Sequence, residues 1–364
     1  MENLSIDAER VYTSVKDYYG KQLQQTSDLQ TSACCTLTAP PARILQLLRN
    51  VPDEVVNKYY GCGTPIPFGI EGCNVLDLGC GSGRDAYVAA ALVGPGGTVT
   101  GIDMTDEQLQ VARDHVNQYT TTQLGYSRPN LHFVEGYIEC LEKAGLASGS
   151  MDVVISNCVV NLSPQKEQVL REVHRVLREG GEFYFSDVYA SRRLPAEAQN
   201  HEILRGECIG GALYVEDFKR LCRKVGFGEP RQLSSSPVEI QNQELAALVG
   251  LAQFASITYR CFKVSSLEEG CREEDYGQVA TYLGTITEHP HAYTLDEKHT
   301  FEKGRPVRVG GNTAAILSES WLSEHFRVKG DRSVHFGPFE SKCNGATVAA
   351  TRVSPARGAG GCCC

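Results

Sequence analysis

The chain has 364 residues, longer than the roughly 250–300 at which a single core stops growing, so two or three structural parts are expected. It is 41% hydrophobic and 22% charged, and its 35 Lys and Arg against 44 Asp and Glu give a formal charge of −9, which argues against a surface that tracks nucleic-acid phosphates. Its 15 cysteines fall well short of the roughly 8–10% of a secreted disulfide scaffold. The opening MENLSIDAERVYTSV carries charges where a secretory signal is apolar, and no run reaches the roughly 18 apolar residues of a membrane span. A cytoplasmic protein with no membrane or nucleic-acid partner is expected. In a reducing compartment, cysteines in this number point to soft-metal binding, redox chemistry or small buried hydrophobes.

Residues 7–19 space Val11, Val15, Tyr18 and Tyr19 helically, then give way to a polar stretch ending at Ala33-Cys34-Cys35. Helical patterning resumes after Pro40-Pro41 and again after Pro52, and the Gly/Pro-rich GCGTPIPFG closes this part. From Asn74 short apolar runs alternate with amphipathic segments, which predicts strands at 74–78, 98–102, 131–135, 151–156 and 181–188 and helices at 84–93, 106–119 and 165–178. Gly180-Gly181 reads as the stop of the last helix. This is the pattern of βαβ units and a mostly parallel sheet covered by helices. Beyond it come a loop-rich stretch at 190–213, a helix at 214–225, strand-like runs near 229–240 and 254–264, and weaker strand signals at 279–287 and 305–317. The Gly-, Ala- and Ser-rich tail from about Lys342, ending in Cys362-Cys363-Cys364, is expected to be disordered.

The first strand meets its helix through Asp77-Leu78-Gly79-Cys80-Gly81-Ser82-Gly83-Arg84-Asp85. Alternate glycines allow a tight turn and close approach of a ligand to the helix N-terminus. Arg84 stands where the dinucleotide pattern G-x-G-x-x-G needs glycine, which disfavours nicotinamide and flavin. The next strand, TVTGID, ends in Asp103 at the edge where a carboxylate can accept both ribose hydroxyls. Together these features resemble class I S-adenosylmethionine methyltransferases. The resemblance implies that Gly79, Gly81 and Gly83 border the methionine part of the cofactor, that Asp103 holds the ribose and that Met104 lies on the adenine. Ile138, in Glu135-Gly136-Tyr137-Ile138-Glu139, either supplies the adenine's far wall or belongs to the core; Asp77 and Asn157 complete the cofactor-binding set.

Three thiols lie outside apolar runs. Cys158 follows the fourth strand in Asn157-Cys158-Val159-Val160-Asn161-Leu162, while Cys208 and Cys62 sit in the glycine-flanked segments GECIGGA and YYGCG. With SDLQTSACC, LDLGCGSGRD, GIDM and FYFSDVY, these segments resemble arsenite methyltransferases, in order, over roughly residues 5–264. In that family four cysteines carry function, and they correspond here to Cys34, Cys62, Cys158 and Cys208. Cys35 adjoins the first of them, and counting from Gln30-Thr31 favours Cys34. The resemblance implies Cys158 and Cys208 as principal ligands of As(III), Cys62 as the third, and Cys34 in capture, exchange or disulfide chemistry. It further implies S-adenosylmethionine as methyl donor, thioredoxin or glutathione as thiol reductant, mono- and dimethylated products, and no structural metal.

The expected fold is α/β: a Rossmann-like class I methyltransferase sheet with an arsenic-binding segment and a small C-terminal α+β domain. The expected division is an N-terminal helical arm contributing to the site (1–60), the S-adenosylmethionine-binding methyltransferase domain (61–189), an arsenic-binding segment completing the sheet (190–264), a C-terminal accessory domain (265–341) and a Cys-ending tail (342–364). Asp187, at the end of the fifth strand, reads equally as a loop cap or a catalytic group, and Tyr59 and Tyr60 as core or pocket residues. Cys73 and Cys80 read as structural, and Cys140, Cys222 and Cys261 as small apolar residues within helices or strands. Two other functions fit parts of the pattern: a class I methyltransferase of another small molecule, and a thiol-based arsenic-binding protein without turnover.

Overall fold

The computed structural model describes residues 6–19, 40–270 and 272–339. Cys34, Cys35 and the terminal cysteines lie outside the described residues. Helices α1 (Ile6–Asp17), α2 (Ala42–Leu48) and α3 (Asp53–Asn57) come first, with Pro41 and Pro52 fixing the entry into α2 and α3. The chain then alternates through β1 (Asn74–Leu78), α4 (Arg84–Val93), β2 (Thr98–Asp103), α5 (Asp106–Asp114), β3 (Leu131–Glu135), β4 (Met151–Asn157), α6 (Lys166–Val176) and β5 (Leu177–Ala190). Next are α7 (Ala196–Asn200), α8 (Glu202–Gly206), β6 (Leu213–Tyr214), α9 (Val215–Val225), β7 (Arg231–Val238), α10 (Gln243–Val249) and β8 (Phe254–Phe262). The C-terminal part holds β9 (Val279–Tyr282), β10 (Ala292–Asp296), β11 (His299–Glu302), β12 (Pro306–Arg308), α11 (Gly311–Glu319) and β13 (Phe326–Lys329).

The main sheet runs β3-β2-β1-β4-β5-β8-β7, with the short β6 beside the end of β5. Strands β1 to β5 pair in parallel, whereas β8 runs antiparallel to both β5 and β7. The order reverses at β1, which is flanked by β2 and β4, and a crevice therefore opens beyond the carboxyl ends of β1 and β4. Alternation along β1 sends Val75 to one face and Leu76 and Leu78 to the other, and both faces are apolar because both are covered. Among the described residues no helix is long and apolar enough to cross a membrane.

The C-terminal sheet β12-β9-β13, the β10-β11 hairpin and α11 share a core with one face of the main sheet, where Val75, Tyr87 and Val99 cluster with Tyr282, Leu295, Phe301 and Leu317. A buried ion pair pins this contact. Arg260 of β8 donates to Glu182 of β5 at 2.6 and 2.9 Å, and Trp321 donates its indole N–H to the same carboxylate at 2.8 Å. Arg260 also donates to Tyr293 Oη at 2.8 Å, so partners from the C-terminal part complete the pair.

Four local readings are corrected. The helix expected at 165–178 ends at Val176, and Gly180-Gly181 belongs to β5 rather than to a helix stop. Gly180 takes φ 77°, and a Cβ there would lie 2.4 Å from the Glu319 carbonyl, so the position needs glycine for both reasons. The helix expected at 106–119 closes at Asp114 and is followed by a wide π turn at Gln118–Gln123. Residues 305–317 are not all strand: Pro306–Arg308 pairs with β9, but the apolar Ala314-Ala315-Ile316-Leu317 lies in α11 and is buried throughout, so it lacks the periodicity that separates helix from strand. Cys140 lies in a turn, outside any helix or strand, while Cys222 and Cys261 are buried in α9 and β8.

Replacing Glu182 with Leu should lower unfolding free energy by about 3–5 kcal/mol, because Arg260 is left charged and buried without its partner. Denaturant unfolding of the full chain measures this, and a loss under about 1 kcal/mol would mean that water or another acceptor reaches Arg260.

Candidate active site

The loop after β1 turns against the end of β2, where the Cys80 N–H donates to the Ile102 carbonyl at 3.0 Å. Gly79, Gly81 and Gly83 take φ of 61°, 53° and 91°, the left-handed region that disfavours side chains. A Cβ at Gly79 would come within 2.4 Å of Val159, and one at Gly83 within 2.6 Å of Phe133, so packing requires glycine at both. A Cβ at Gly81 would meet nothing within 4 Å, because that glycine faces an open cavity. Asp103 at the end of β2 braces the loop: one carboxylate oxygen accepts the Gly81 N–H at 2.9 Å and the other the Thr105 N–H at 2.8 Å.

The cavity spans about 980 Å³ including its mouth, and is lined by Asp77, Gly79, Gly81, Asp103, Met104, Ile138, Asn157 and Cys158. Of the cofactor residues expected from the sequence, Gly83 alone stands outside this lining, where it serves the turn. Tyr12, Val15 and Tyr19 at the N-terminus close another side, and Tyr59 and Tyr60 belong to the wall. Cys80 also borders the cavity, which its structural reading did not include.

Sequence reasoning passed over the charged start of α4. The Arg84 guanidinium lies over the Tyr59 ring at 3.6 Å and 3.4 Å from Asp85. Asn157 Nδ2 is 2.7 Å from Asp85 Oδ2 and 2.6 Å from Tyr59 Oη, while its Oδ1 accepts the Gly63 N–H at 3.0 Å. The signal was present in the sequence, since Arg84 and Asp85 are the only charges in the otherwise apolar RDAYVAAALV.

Burial raises the carboxyl groups of Asp77, Asp85 and Asp103 above their ordinary range. The neighbouring Asp85 and Asp103 add to the rise at Asp77, whereas Arg84 and Asn157 oppose it at Asp85 and the Gly81 and Thr105 N–H groups oppose it at Asp103. The wall thus holds more buried acids than cations. Asp77 Oδ2 and Gln108 Oε1 are also buried without a hydrogen-bond partner. S-adenosylmethionine, with its ammonium and sulfonium cations and its ribose diol, fits this acid-rich wall and the cradle at Gly81.

The three cysteines gather beside the cavity, and Cys158 alone of them belongs to its wall. Cys62 and Cys158 are joined as a disulfide, with their Cα atoms 5.8 Å apart. The three thiols expected as a ligand set are therefore brought together, two of them bonded to each other. The Cys208 thiol donates to the Cys158 carbonyl at 2.9 Å. Cys158 and Cys208 have φ of 58° and 65°, the only non-glycine residues with positive φ among those described. Such backbones cost about 1–3 kcal/mol each and persist where surroundings impose them, often at functional sites. Ligand atoms of Cys158, Cys208 and Asp187 all lie within 4.8 Å of one another, and all three residues are buried. Asp187, left open between cap and catalytic group, does cap: it accepts the Asn161 and Val188 N–H groups at 3.0 and 2.8 Å. Burial pushes its carboxyl up to about 7 against those two bonds.

The strand order, the glycine loop and this cavity define a class I, S-adenosylmethionine-dependent methyltransferase. The methyltransferase domain family matches residues 70–226, and the arsenite methyltransferase C-terminal domain family matches residues 276–363. An arsenite methyltransferase from Aquipseudomonas alcaligenes is 51% identical over 335 residues, 92% of this chain and 95% of that one. One from Homo sapiens is 45% identical over 324 residues, 89% of this chain and 84% of that one. The crystal structure of an arsenic(III) S-adenosylmethionine methyltransferase from Chlamydomonas reinhardtii matches with a TM-score of 0.80 and 56% identity, over 83% of this chain and 100% of that one. The chain belongs to the arsenite methyltransferase family.

Gly79→Ala should destabilise the fold more than Gly81→Ala. Both incur about 1–2 kcal/mol for a left-handed alanine, but only the first adds about 1–3 kcal/mol of overpacking against Val159. Thermal unfolding of the two variants decides it, and equal shifts would mean that Val159 moves aside.

Proposed function

We propose that this chain transfers a methyl group from S-adenosylmethionine to trivalent arsenic held by Cys62, Cys158 and Cys208. The observation that carries the reading is the double position of Cys158, which is part of the cofactor cavity's wall and part of the thiol cluster. S-adenosylmethionine, when bound, supplies an electrophilic methyl on a sulfonium sulfur. Gly81 leaves room for it beside the backbone, Asp103 accepts the ribose hydroxyls, and the acids of the wall offset its positive charge. Met104 and Ile138 offer soft and apolar surface to the adenine.

Arsenic(III) is soft and takes sulfur ligands. The Cys62–Cys158 disulfide must first open, and two equivalents of a small thiol or one protein dithiol such as thioredoxin supply the two electrons and two protons. Each thiol then displaces one hydroxide of arsenite, its proton leaving in the water formed. The bound arsenic keeps a lone pair at the apex of its three sulfurs, and that pair attacks the methyl carbon. The attacking atom carries no proton, so no general base is needed, and the protein's contribution is position and exclusion of water. Arsenic is formally oxidised by two electrons in the transfer and regains them when two thiolates rejoin as a disulfide. Repetition of the cycle gives mono- and then dimethylated arsenicals. Cys34 serves capture or exchange in this scheme.

Cys158→Ser and Cys208→Ser should each lower arsenite methylation by more than about a hundredfold while leaving S-adenosylmethionine affinity within about twofold, the reverse of a small-molecule methyltransferase indifferent to thiols. Formation of S-adenosylhomocysteine and calorimetric titration measure the two effects. Near-normal turnover in both variants overturns the reading, as would arsenite binding without any S-adenosylhomocysteine in the wild-type protein. Asp103→Ala should do the opposite, weakening S-adenosylmethionine binding by about 10- to 100-fold with arsenite affinity retained; equal losses of both would mean that the two sites are one.

A further inference from the structure

Helix α1 and the two tyrosines that follow it touch both sites at once. Tyr12, Val15 and Tyr19 belong to the wall of the cofactor cavity, where the Tyr19 carbonyl accepts Gln108 Nε2 of α5 at 3.1 Å and the Tyr12 and Tyr137 rings meet edge to face at 5.2 Å. The other contacts are with the end of α8. Tyr19 Oη donates to the Gly206 carbonyl at 2.8 Å, and Tyr18 Oη donates to Glu207 Oε1 at 3.1 Å. The Tyr18 ring lies so close to Gly206 that a Cβ there would fall 3.0 Å from it, and Tyr18 and Glu207 are both buried.

Those contacts end one residue before the thiol cluster. Cys208 follows Glu207, and its left-handed backbone is set by the same turn: its N–H donates to the Arg205 carbonyl at 3.1 Å and the Glu207 N–H to the Ile203 carbonyl at 2.9 Å. A shift of Gly206 and Glu207 therefore carries the Cys208 sulfur with it. Helix α1 has 12 residues, a length marginal for an isolated helix in water, so its docking depends on what it touches. A cofactor that fills the cavity meets Tyr12, Val15 and Tyr19 when α1 is docked, and favours that state by the contact. A ligand that fixes the Cys208 turn favours the same state through Gly206 and Glu207, and the influence runs equally in both directions.

We propose that Tyr18 and Tyr19 are positioning residues: by tying α1 to Gly206 and Glu207, they make occupation of the cofactor cavity set the place of the Cys208 sulfur. The proposal rests on the reading above in taking that sulfur as an arsenic ligand. Tyr18 is the sharper probe of the two. Tyr19 is part of the cavity wall, whereas Tyr18 is outside its lining, so loss of the Tyr18 hydroxyl takes no contact from the cofactor.

Hydrogen–deuterium exchange of the full chain, with S-adenosylhomocysteine as the ligand, tests the link without arsenic. At saturation the ligand should slow exchange over residues 203–210 by about fivefold or more in the wild type and by less than about twofold in Tyr18→Phe. A hydroxyl with a merely structural role would speed exchange by one factor with and without the ligand. An equal ligand effect in the two proteins therefore overturns the proposal, as does no effect in the wild type. Turnover supplies the second readout. Tyr18→Phe should lower kcat for arsenite methylation by about tenfold with the KM for S-adenosylmethionine within about threefold, and an unchanged kcat overturns the positioning role. A wild type that shows the exchange effect but forms no methylated arsenic refutes the methylation reading and leaves the link between the cavity and Cys208 standing.

Discussion

The site depends on how the backbone is held at Cys158. The residue leaves β4 in a left-handed conformation, its N–H bound to the Ser186 carbonyl of β5 at 2.9 Å and its own carbonyl accepting the Cys208 thiol. Those contacts turn the chain so that Asn157 reaches back to Asp85 and Gly63 while Val159 fills the space that Gly79 leaves without a Cβ. One strained residue thereby registers the cofactor loop, the Gly61–Gly63 segment and the Cys208 loop against one another. A lone left-handed cysteine would relax at little cost; here β5 and two loops hold it, which is how strain persists in a packed site. Tyr59 extends the same arrangement, lying under Arg84 and against Asn157.

The charge that bears on the cavity is local. Asp77, Asp85 and Asp103 give its wall an excess of buried acid. A cationic methyl donor is drawn to that wall without a surface field of one sign over the whole molecule. The net charge of −9 therefore says little about the site, because the charges that matter are local and buried.

How much of this was legible in the sequence depended on whether the cause was local. The glycine loop could be read because positive φ at Gly79, Gly81 and Gly83 is a demand of single residues, and Asp103 because the end of the next strand lies beside that loop in any such sheet. The glycines around Cys62 and Cys208 marked them through close approach instead: a Cβ at Gly61 would lie 2.3 Å from Tyr59 Oη and one at Gly211 1.9 Å from the Asn161 carbonyl. The bond between Cys62 and Cys158 spans 96 residues and has no local signature. Nor could spacing foretell that Arg84 stacks on Tyr59, since that contact follows from packing the GCG segment across the helix start. The misread of α11 has another physical origin: a helix buried on all sides has no polar stripe, and Ala314 to Leu317 are buried without exception.

The C-terminal part bears on the site through β5. Glu182 of that strand carries the Arg260 pair and accepts the Trp321 indole, and five residues further on the same strand carries Asp187 between the thiols. Over that distance β5 is hydrogen-bonded to β8 from Glu182↔Phe262 to Ala190↔Phe254 and to β4 from Glu182 to Ser186, with no break in register. A strand paired on both sides cannot shift at one end without disturbing the other, because a slip of one residue would turn Glu182 and its neighbours to the wrong face. The buried charge pair contributes little net stability against an apolar substitute of equal shape, but it has one geometry in which Arg260, Tyr293 and Trp321 are all satisfied. Anchoring β5 by that geometry sets the position of Asp187, and through the Asn161 and Val188 N–H groups it sets the turn on which Cys158 and Cys208 meet.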